Sequence, residues 1–469
     1  MPPTSNRANY RDLFVGLDTE VPLLDGRKCI YINLDNAAST PSLKAVQKSV
    51  DDFLVYYSSV HRGTGFKSQL STHAYEQARK ICLRFVGANP NDYTCIFGKN
   101  TTEAINKLAH RFPFTPQRNV VITSGMEHHS NDLPWRAAAH TIHVRLTADG
   151  RLDEADFDTQ LDANRGQVAL VTISGASNVT GFINPIHRLA EKAHAVGAQI
   201  CVDCAQLAPH RKVEMGSLDD PAHLDYITIS AHKMYAPFGA GALIGRRDTF
   251  CQGDPDMRGG GTVEIVTLDD VVWSDPPERE EAGSPNTIGA VALAAAICQL
   301  ESIGMENVAN HEAILTAYAL HKLPSIPGIQ LYGDLNPAHA AQRLGVLPLG
   351  FQHVSHFLAA SVLGYEYGIG VRSGCFCAHP YILHLLGLSP AEARQVRTTM
   401  LAGDRSHMPG LIRASFGLYN TFTEVDALVE ALDQIQRGDY HGRYIQDKAS
   451  GEYKPQDWSL DFDRYFKLI

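Results

Sequence analysis

Short apolar runs rich in β-branched residues recur along the first half of the chain, separated by segments whose apolar positions fall three and four residues apart. The runs at residues 94–97, 119–123, 141–146, 168–174, 199–204 and 226–230 predict buried strands. The intervening spacing predicts helices over 102–111, 154–161 and 186–196. Such alternation defines an α/β fold, a mostly parallel sheet flanked by helices on both faces. In sheets of this kind, sites collect beyond the carboxyl ends of the strands.

Ahead of this rhythm, residues 1–28 form a polar arm and residues 29–34 predict a strand. The following segment, 35–41, reads as a turn opening a helix, with Thr40 as its cap and Pro41 in its first position. Leu43, Val46, Val50, Phe53 and Tyr57 then keep helical spacing, and a second helix is predicted over 71–86 after the loop at 61–63. Beyond a short strand at 242–245 come a Gly/Pro-rich stretch (253–261) and an acidic segment (269–281). A long apolar helix from near Asn286 then bridges into a second domain. The chain closes with a helix over 425–436 and a charged, aromatic tail packed on the surface.

The 469 residues are 44% hydrophobic and 20% charged, as in an ordinary soluble protein. A net charge of -10 argues against nucleic acid and anionic membrane as partners. The longest apolar stretch, 290–298, is too short to span a bilayer. The first ten residues lack the apolar core of a signal peptide, so the expected location is cytoplasmic. Nine cysteines, an odd number spread over the chain, do not form a disulfide framework. Cys201 and Cys204 have metal-ligand spacing, but they fall within an apolar strand and no further ligands complete a set; no metal is expected. Cys375 and Cys377 stand instead among Gly and polar residues, as a reactive loop would.

Lys233 follows the strand at 226–230, with Ser230 and His232 beside it. A lysine there could simply snorkel to solvent. Desolvated among polar groups it is a good Schiff-base former. Asp203 closes another buried strand and could hold a cation deep in the fold, either a ring nitrogen or a structural basic group. Residues 98–103 (GKNTTE) join a strand to a helix. Free N–H groups and Thr hydroxyls there suit a phosphate, although the same pattern also serves as a plain cap.

Together with residues 34–41 (LDNAASTP), 61–63 (HRG), 126–131 (MEHHSN), 177–181 (SNVTG), 202–206 (VDCAQ), 230–233 (SAHK), 282–287 (AGSPNT) and 413–421 (RASFGLYNT), these features make the chain resemble the class V aminotransferase group. That group comprises fold-type I enzymes dependent on pyridoxal 5′-phosphate. Within it the chain is most similar to cysteine desulfurases and selenocysteine lyases. The resemblance implies a large cofactor-binding domain over 33–302. A smaller α+β domain would be formed by 303–469 and 1–32, with the N-terminal arm and C-terminal tail. Lys233 would carry the cofactor, Asp203 would pair with its ring nitrogen, Gln206 would contact its ring oxygen and His128 would stack on its face. Thr101, Thr102, Ser230 and His232 would hold the phosphate, with Ser284 supplied by the other subunit of a homodimer. Asn178 would contact cofactor or substrate. Arg413 would clamp the substrate carboxylate through a two-bonded fork, with Arg372 and His61 also on the substrate side.

Residues 370–380 (GVRSGCFCAHP) match the loop that carries the desulfurase nucleophile, and by register that residue is Cys377. The implied reaction takes sulfur from L-cysteine, or a related sulfur amino acid, and leaves alanine and a persulfide for an acceptor protein. His128, His379 and Arg372 are candidates to assist the thiolate. Two departures stand out. The usual pair of histidines before the nucleophile is replaced by Cys375 and Phe376, as in the desulfurase domain of molybdenum cofactor sulfurases. An inserted segment also occupies residues 388–409. The residues leave open Cys375 as a sulfur relay, β-elimination by a C–S lyase, and transamination or epimerisation.

Overall fold

Seven strands form the central sheet of the computed structural model, which describes residues 9–61 and 63–469. Arg62 in the 61–63 loop and the start of the N-terminal arm lie outside the described residues. The strands are β1 (Tyr93–Gly98), β2 (Val120–Ser124), β3 (His140–Val144), β4 (Val168–Ser174), β5 (Gln199–Asp203), β6 (Tyr226–Ser230) and β7 (Gly241–Arg246). They lie side by side in the order β1-β7-β6-β5-β4-β2-β3. β7 runs against both neighbours and every other pairing is parallel. Along β2, β4 and β6 every residue is buried, because helices cover both faces. Cys201 and Cys204 are buried and unpaired, one in each apolar layer of the sheet.

Helices α1 (Lys44–Leu54), α2 (Phe66–Phe85), α3 (Thr101–Arg111), α4 (Glu154–Ala163), α5 (Ile186–Ala195) and α6 (Thr287–Ile303) surround this sheet. α6 starts where the Asn286 side chain accepts from Gly289 N–H, and it packs its apolar length against α1 and α2. Among the described residues no single helix is long and apolar enough to cross a membrane. After α7 (Met305–Lys322), a four-stranded antiparallel sheet forms from β8 (Ile329–Leu331), β9 (Val346–Phe351), β10 (Arg372–Gly374) and β11 (Leu411–Ser415), in the order β8-β9-β11-β10. α7, α8 (His356–Tyr367) and α10 (Phe422–Arg437) back it with a separate core around Leu315, Leu347, Val362, Ile412 and Leu428. The insertion contributes α9 (Pro390–Leu401), begun by a capping box of Ser389 and Glu392. The tail forms a hairpin of Tyr444–Gln446 and Tyr453–Pro455, docked by a bond of 2.8 Å from Ser361 Oγ to Tyr453 O.

Three local readings change. Thr40 is not a cap: α1 starts at Lys44, and the Thr40 hydroxyl instead donates to His232 O and accepts from Tyr235 N–H. The turn over 35–41 is thereby tied to the segment that carries Lys233. Residues 29–34 form two short strands, because Lys28–Ile30 pairs with Glu20–Pro22 whereas Ile32–Asn33 pairs with Ile369–Gly370. α2 begins at Phe66, five residues before the expected start at Ser71. Its first turns bury Ser68 and Ser71, which bond the preceding loop at Ser59 O and Ser58 N–H. Apolar periodicity cannot register a face satisfied by hydroxyls.

Asp225 locks the amino ends of β5 and β6 together. Its buried carboxylate accepts from Ile200 N–H (2.8 Å), His194 (2.9 Å), His223 (3.3 Å) and Arg246 (3.4 Å). Burial alone would raise its pKa, but the histidine and backbone bonds hold it down to about 2. Its contribution is therefore complete above the ordinary carboxylate pKa and disappears as pH falls toward 2. Asp225→Ala is expected to destabilise the protein by about 3–5 kcal/mol, read as a lower midpoint in urea.

Candidate active site

The carboxyl ends of β4, β5 and β6 open into a cavity of about 430 Å³, closed on the far side by β10, β11 and the loop between them. Asp203 and Ser230 end strands of the central sheet and Lys233 follows β6; Thr101 and Thr102 begin α3, and His128 and Asn178 follow β2 and β4. Gln206 and His232 complete this wall, and Arg372, Cys377 and Arg413 face it. These elements are far apart in sequence, so the cavity exists only once the two sheets are packed together.

Lys233 ends a short 3₁₀ turn directly after β6. Withdrawal from water pushes its pKa down to about 8, partly opposed by Asp203 and assisted by Arg413. Burial raises the pKa of Asp203. Its Oδ1 accepts from Ala205 N–H at 2.9 Å, while Oδ2 meets no hydrogen-bond donor among the described residues. A buried carboxylate with one oxygen unpaired calls for a cationic partner. Burial also pushes His128 down to about 3, so its ring is neutral. Its Nδ1 accepts from Ser130 N–H at 3.1 Å, which places the proton on Nε2.

At the start of α3, Asn100 caps the helix through Glu103 N–H, and Ser230 Oγ bridges Thr101 N–H (2.9 Å) and Thr101 Oγ1 (3.0 Å). Thr102 Oγ1 lies 2.6 Å from Ser130 Oγ. Helix N–H groups and a ring of hydroxyls form an anion cradle there. His232 is neutral at pH 7, its pKa lowered to about 4 chiefly by burial. The free Asp203 oxygen, the low-pKa lysine, the neutral His128 ring and the anion cradle match the ring nitrogen, aldehyde, ring face and phosphate of pyridoxal 5′-phosphate. The residues present fit that group.

Across the cavity, Arg413 is almost fully buried, with its guanidinium 5.0 Å from the Phe376 ring. Its Nη1 donates to Asn178 O (3.1 Å) and its Nη2 to Asp35 (2.9 Å), whereas Nε has no partner. Arg413 still lines the cavity, and the second N–H on each terminal nitrogen suits an amino acid carboxylate. Arg413→Lys is expected to raise KM for an amino acid substrate by about 10–100-fold while leaving the bound-cofactor absorbance in place, as steady-state kinetics and the visible spectrum would report.

Phe376 and Cys377 both adopt left-handed backbone conformations (φ 51° and 55°), uncommon for non-glycine residues. Three bonds of 2.8 Å hold them: Asn178 Nδ2–H to Phe376 O, His129 N–H to Cys377 O, and Ala378 N–H to Cys375 O. The strained turn presents Cys377 to the cavity, where its side chain is exposed. Cys375 is turned away, its thiol donating to Pro409 O at 3.1 Å and its pKa raised by burial to about 12. Pro409 ends the inserted segment, so the unusual cysteine before Phe376 and the insertion are one packing unit. His379 does not line the cavity; it stacks on His129 with ring centres 5.0 Å apart.

Two expected site residues are not brought to this cavity by a single chain. Ser284 lines a smaller cavity of about 180 Å³ with Tyr75, Lys99 and Glu281, and His61 packs edge-on against Tyr75. Three contributors were missed. Ser130 and Asp35 lie inside the motifs already noted at 126–131 and 34–41, so their positions were signalled though not their contacts. Phe376 likewise lies inside the loop noted at 370–380, and its contact with Arg413 was not signalled.

This fold has close counterparts among known proteins. The model of the class-V aminotransferase family matches residues 32–428, and the chain belongs to that family. Its relatives include cysteine desulfurases of Haloferax volcanii, 35% identical over 86% of this chain and 88% of that protein, and of Dickeya dadantii, 35% identical over 88% and 93%. The apo structure of a cysteine desulfurase from Thermococcus onnurineus NA1 superposes with a TM-score of 0.76 at 31% identity, covering 87% of this chain and 95% of that one. The cysteine desulfurase CsdA of Escherichia coli gives a TM-score of 0.74 at 28% identity, covering 93% and 99%.

Proposed function

We propose that the protein is a pyridoxal 5′-phosphate-dependent cysteine desulfurase that converts L-cysteine to L-alanine and leaves the sulfur on Cys377. The observation that carries this reading is that Lys233, Arg413 and Cys377 line one cavity. Asp203 would hold the cofactor's ring nitrogen, the α3 cradle its phosphate, His128 its face and Lys233 its aldehyde carbon. When bound, the cofactor withdraws electrons from the amino acid's carbon skeleton.

Arg413 fixes the substrate carboxylate, and the neutral Lys233 amine removes the proton from Cα. The Cys377 thiolate attacks the substrate sulfur. An S–S bond forms as the Cβ–S bond breaks, and the electron pair of the broken bond passes into the substrate skeleton. Protonation of that carbon completes alanine, so cysteine and one enzyme thiol become alanine and one enzyme persulfide with no external oxidant. Arg372, at the cavity edge, lends positive charge to the thiolate, and exposure of Cys377 opens it to a sulfur acceptor. Cys375, buried and bonded to Pro409 O, is left out of the relay.

A homodimer in which Ser284 reaches the phosphate of the other subunit is part of the same reading. So is a reducing, cytoplasmic setting, in keeping with nine unpaired cysteines. Feeding L-cysteine and a thiol reductant to the holoenzyme is expected to yield alanine and sulfide in equal amounts, with Cys375→Ser within about threefold of the parent. Pyruvate and ammonia as the main products would favour β-elimination instead.

A further inference from the structure

β10 and β11 place Arg372 and Arg413 directly opposite each other in antiparallel register. Like charges at such a pair repel, and Arg413, being buried, is screened little by water although Arg372 is half exposed. Asp35 resolves the conflict. It is bridged to Ser415 beside β11, and its backbone N–H is held by Asn33 Oδ1 at 3.0 Å. Its carboxylate is divided between the two cations, Oδ1 to Arg413 Nη2 at 2.9 Å and Oδ2 to Arg372 Nη2 at 3.1 Å. Asp35 itself stands behind the arginines, outside the residues that line the cavity.

The arrangement has two consequences. With one N–H of Nη2 taken by Asp35 and one of Nη1 by Asn178 O, the Arg413 fork is fixed before substrate arrives, and each terminal nitrogen keeps a second N–H to receive it. Two guanidinium groups and one carboxylate also leave a net charge of +1, which a single carboxylate neutralises. We propose that Asp35 is a positioning residue that holds Arg413 in place against Arg372 and matches the clamp to the one α-carboxylate of an amino acid. This rests on the reading of Arg413 as the carboxylate clamp. It adds the residue that sets the clamp's geometry and charge.

A double-mutant cycle tests it. The dissociation constant of L-alanine for the holoenzyme is measured by calorimetry, and KM and kcat for L-cysteine by kinetics, in four proteins: the parent, D35N, R372Q and D35N/R372Q. In the parent background D35N is expected to weaken alanine binding and raise KM about tenfold, with kcat changed less than about threefold. In the R372Q background, with the opposing charge gone, the same substitution is expected to cost less than about threefold. Equal losses in both backgrounds, or a loss confined to kcat, would overturn the proposal. D35S serves the same cycle should D35N fold poorly. A parent enzyme that binds alanine but makes none from cysteine would refute the desulfurase reading while leaving the binding cycle readable.

Discussion

Replacing Lys233 by alanine is expected to abolish the visible absorbance of lysine-joined cofactor and to lower turnover of L-cysteine by more than about 10³-fold. The size of the effect follows from the two duties proposed for one amine, holding the cofactor and moving the Cα proton. Both need the neutral form. Burial brings the amine's pKa down to about 8, so the neutral fraction grows as pH rises through that value, well below the range of a surface lysine. The rate at which cofactor-free protein takes up pyridoxal 5′-phosphate is therefore expected to climb between about pH 7 and 9 and then level off. A rate still climbing steeply above pH 10 would mean that the ammonium is not desolvated as described. A protein that keeps its absorbance after Lys233→Ala would contradict the assignment of the lysine.

Cys377→Ser carries the second large effect. Serine keeps the size and the left-handed turn held by Asn178 and His129, but its hydroxyl is a poor nucleophile toward sulfur near neutral pH. Alanine formation is expected to fall by on the order of 10³-fold or more, with cofactor absorbance and unfolding midpoint unchanged. The contrast with Cys375→Ser is what gives the result meaning. The two thiols are two residues apart, yet one is exposed on the cavity and the other buried against Pro409. Equal losses in the two variants would point to a shared role that this geometry does not support.

Much of the central sheet was legible because burial on both faces demands continuous apolar runs, and those are visible along the chain. Lys233 and Asp203 were legible for the same reason: a charged residue at the end of such a run stands out. The turn over 35–41 was misjudged because Thr40 has the chemistry of a helix cap, and only the folded chain shows its hydroxyl bonded to the Lys233 segment instead. Asp35 looked like a turn residue; its partners Arg372 and Arg413 are more than three hundred positions away and meet it only through the second sheet. The backbone strain at Phe376 and Cys377 has no sequence signature, since neither is glycine. Ser284 and His61 were placed at the site by resemblance alone, and in this chain they lie away from the cavity.

Cys377 is proposed to take the sulfur while the substrate leaves as alanine. A single turnover tests it most directly: holoenzyme mixed with limiting L-cysteine in the absence of reductant, followed by mass analysis of the peptide containing Cys377 and quantitation of amino acid products. One added sulfur atom on Cys377, one alanine for each, and an unmodified Cys375 are expected. Pyruvate with an unmodified Cys377 would contradict it.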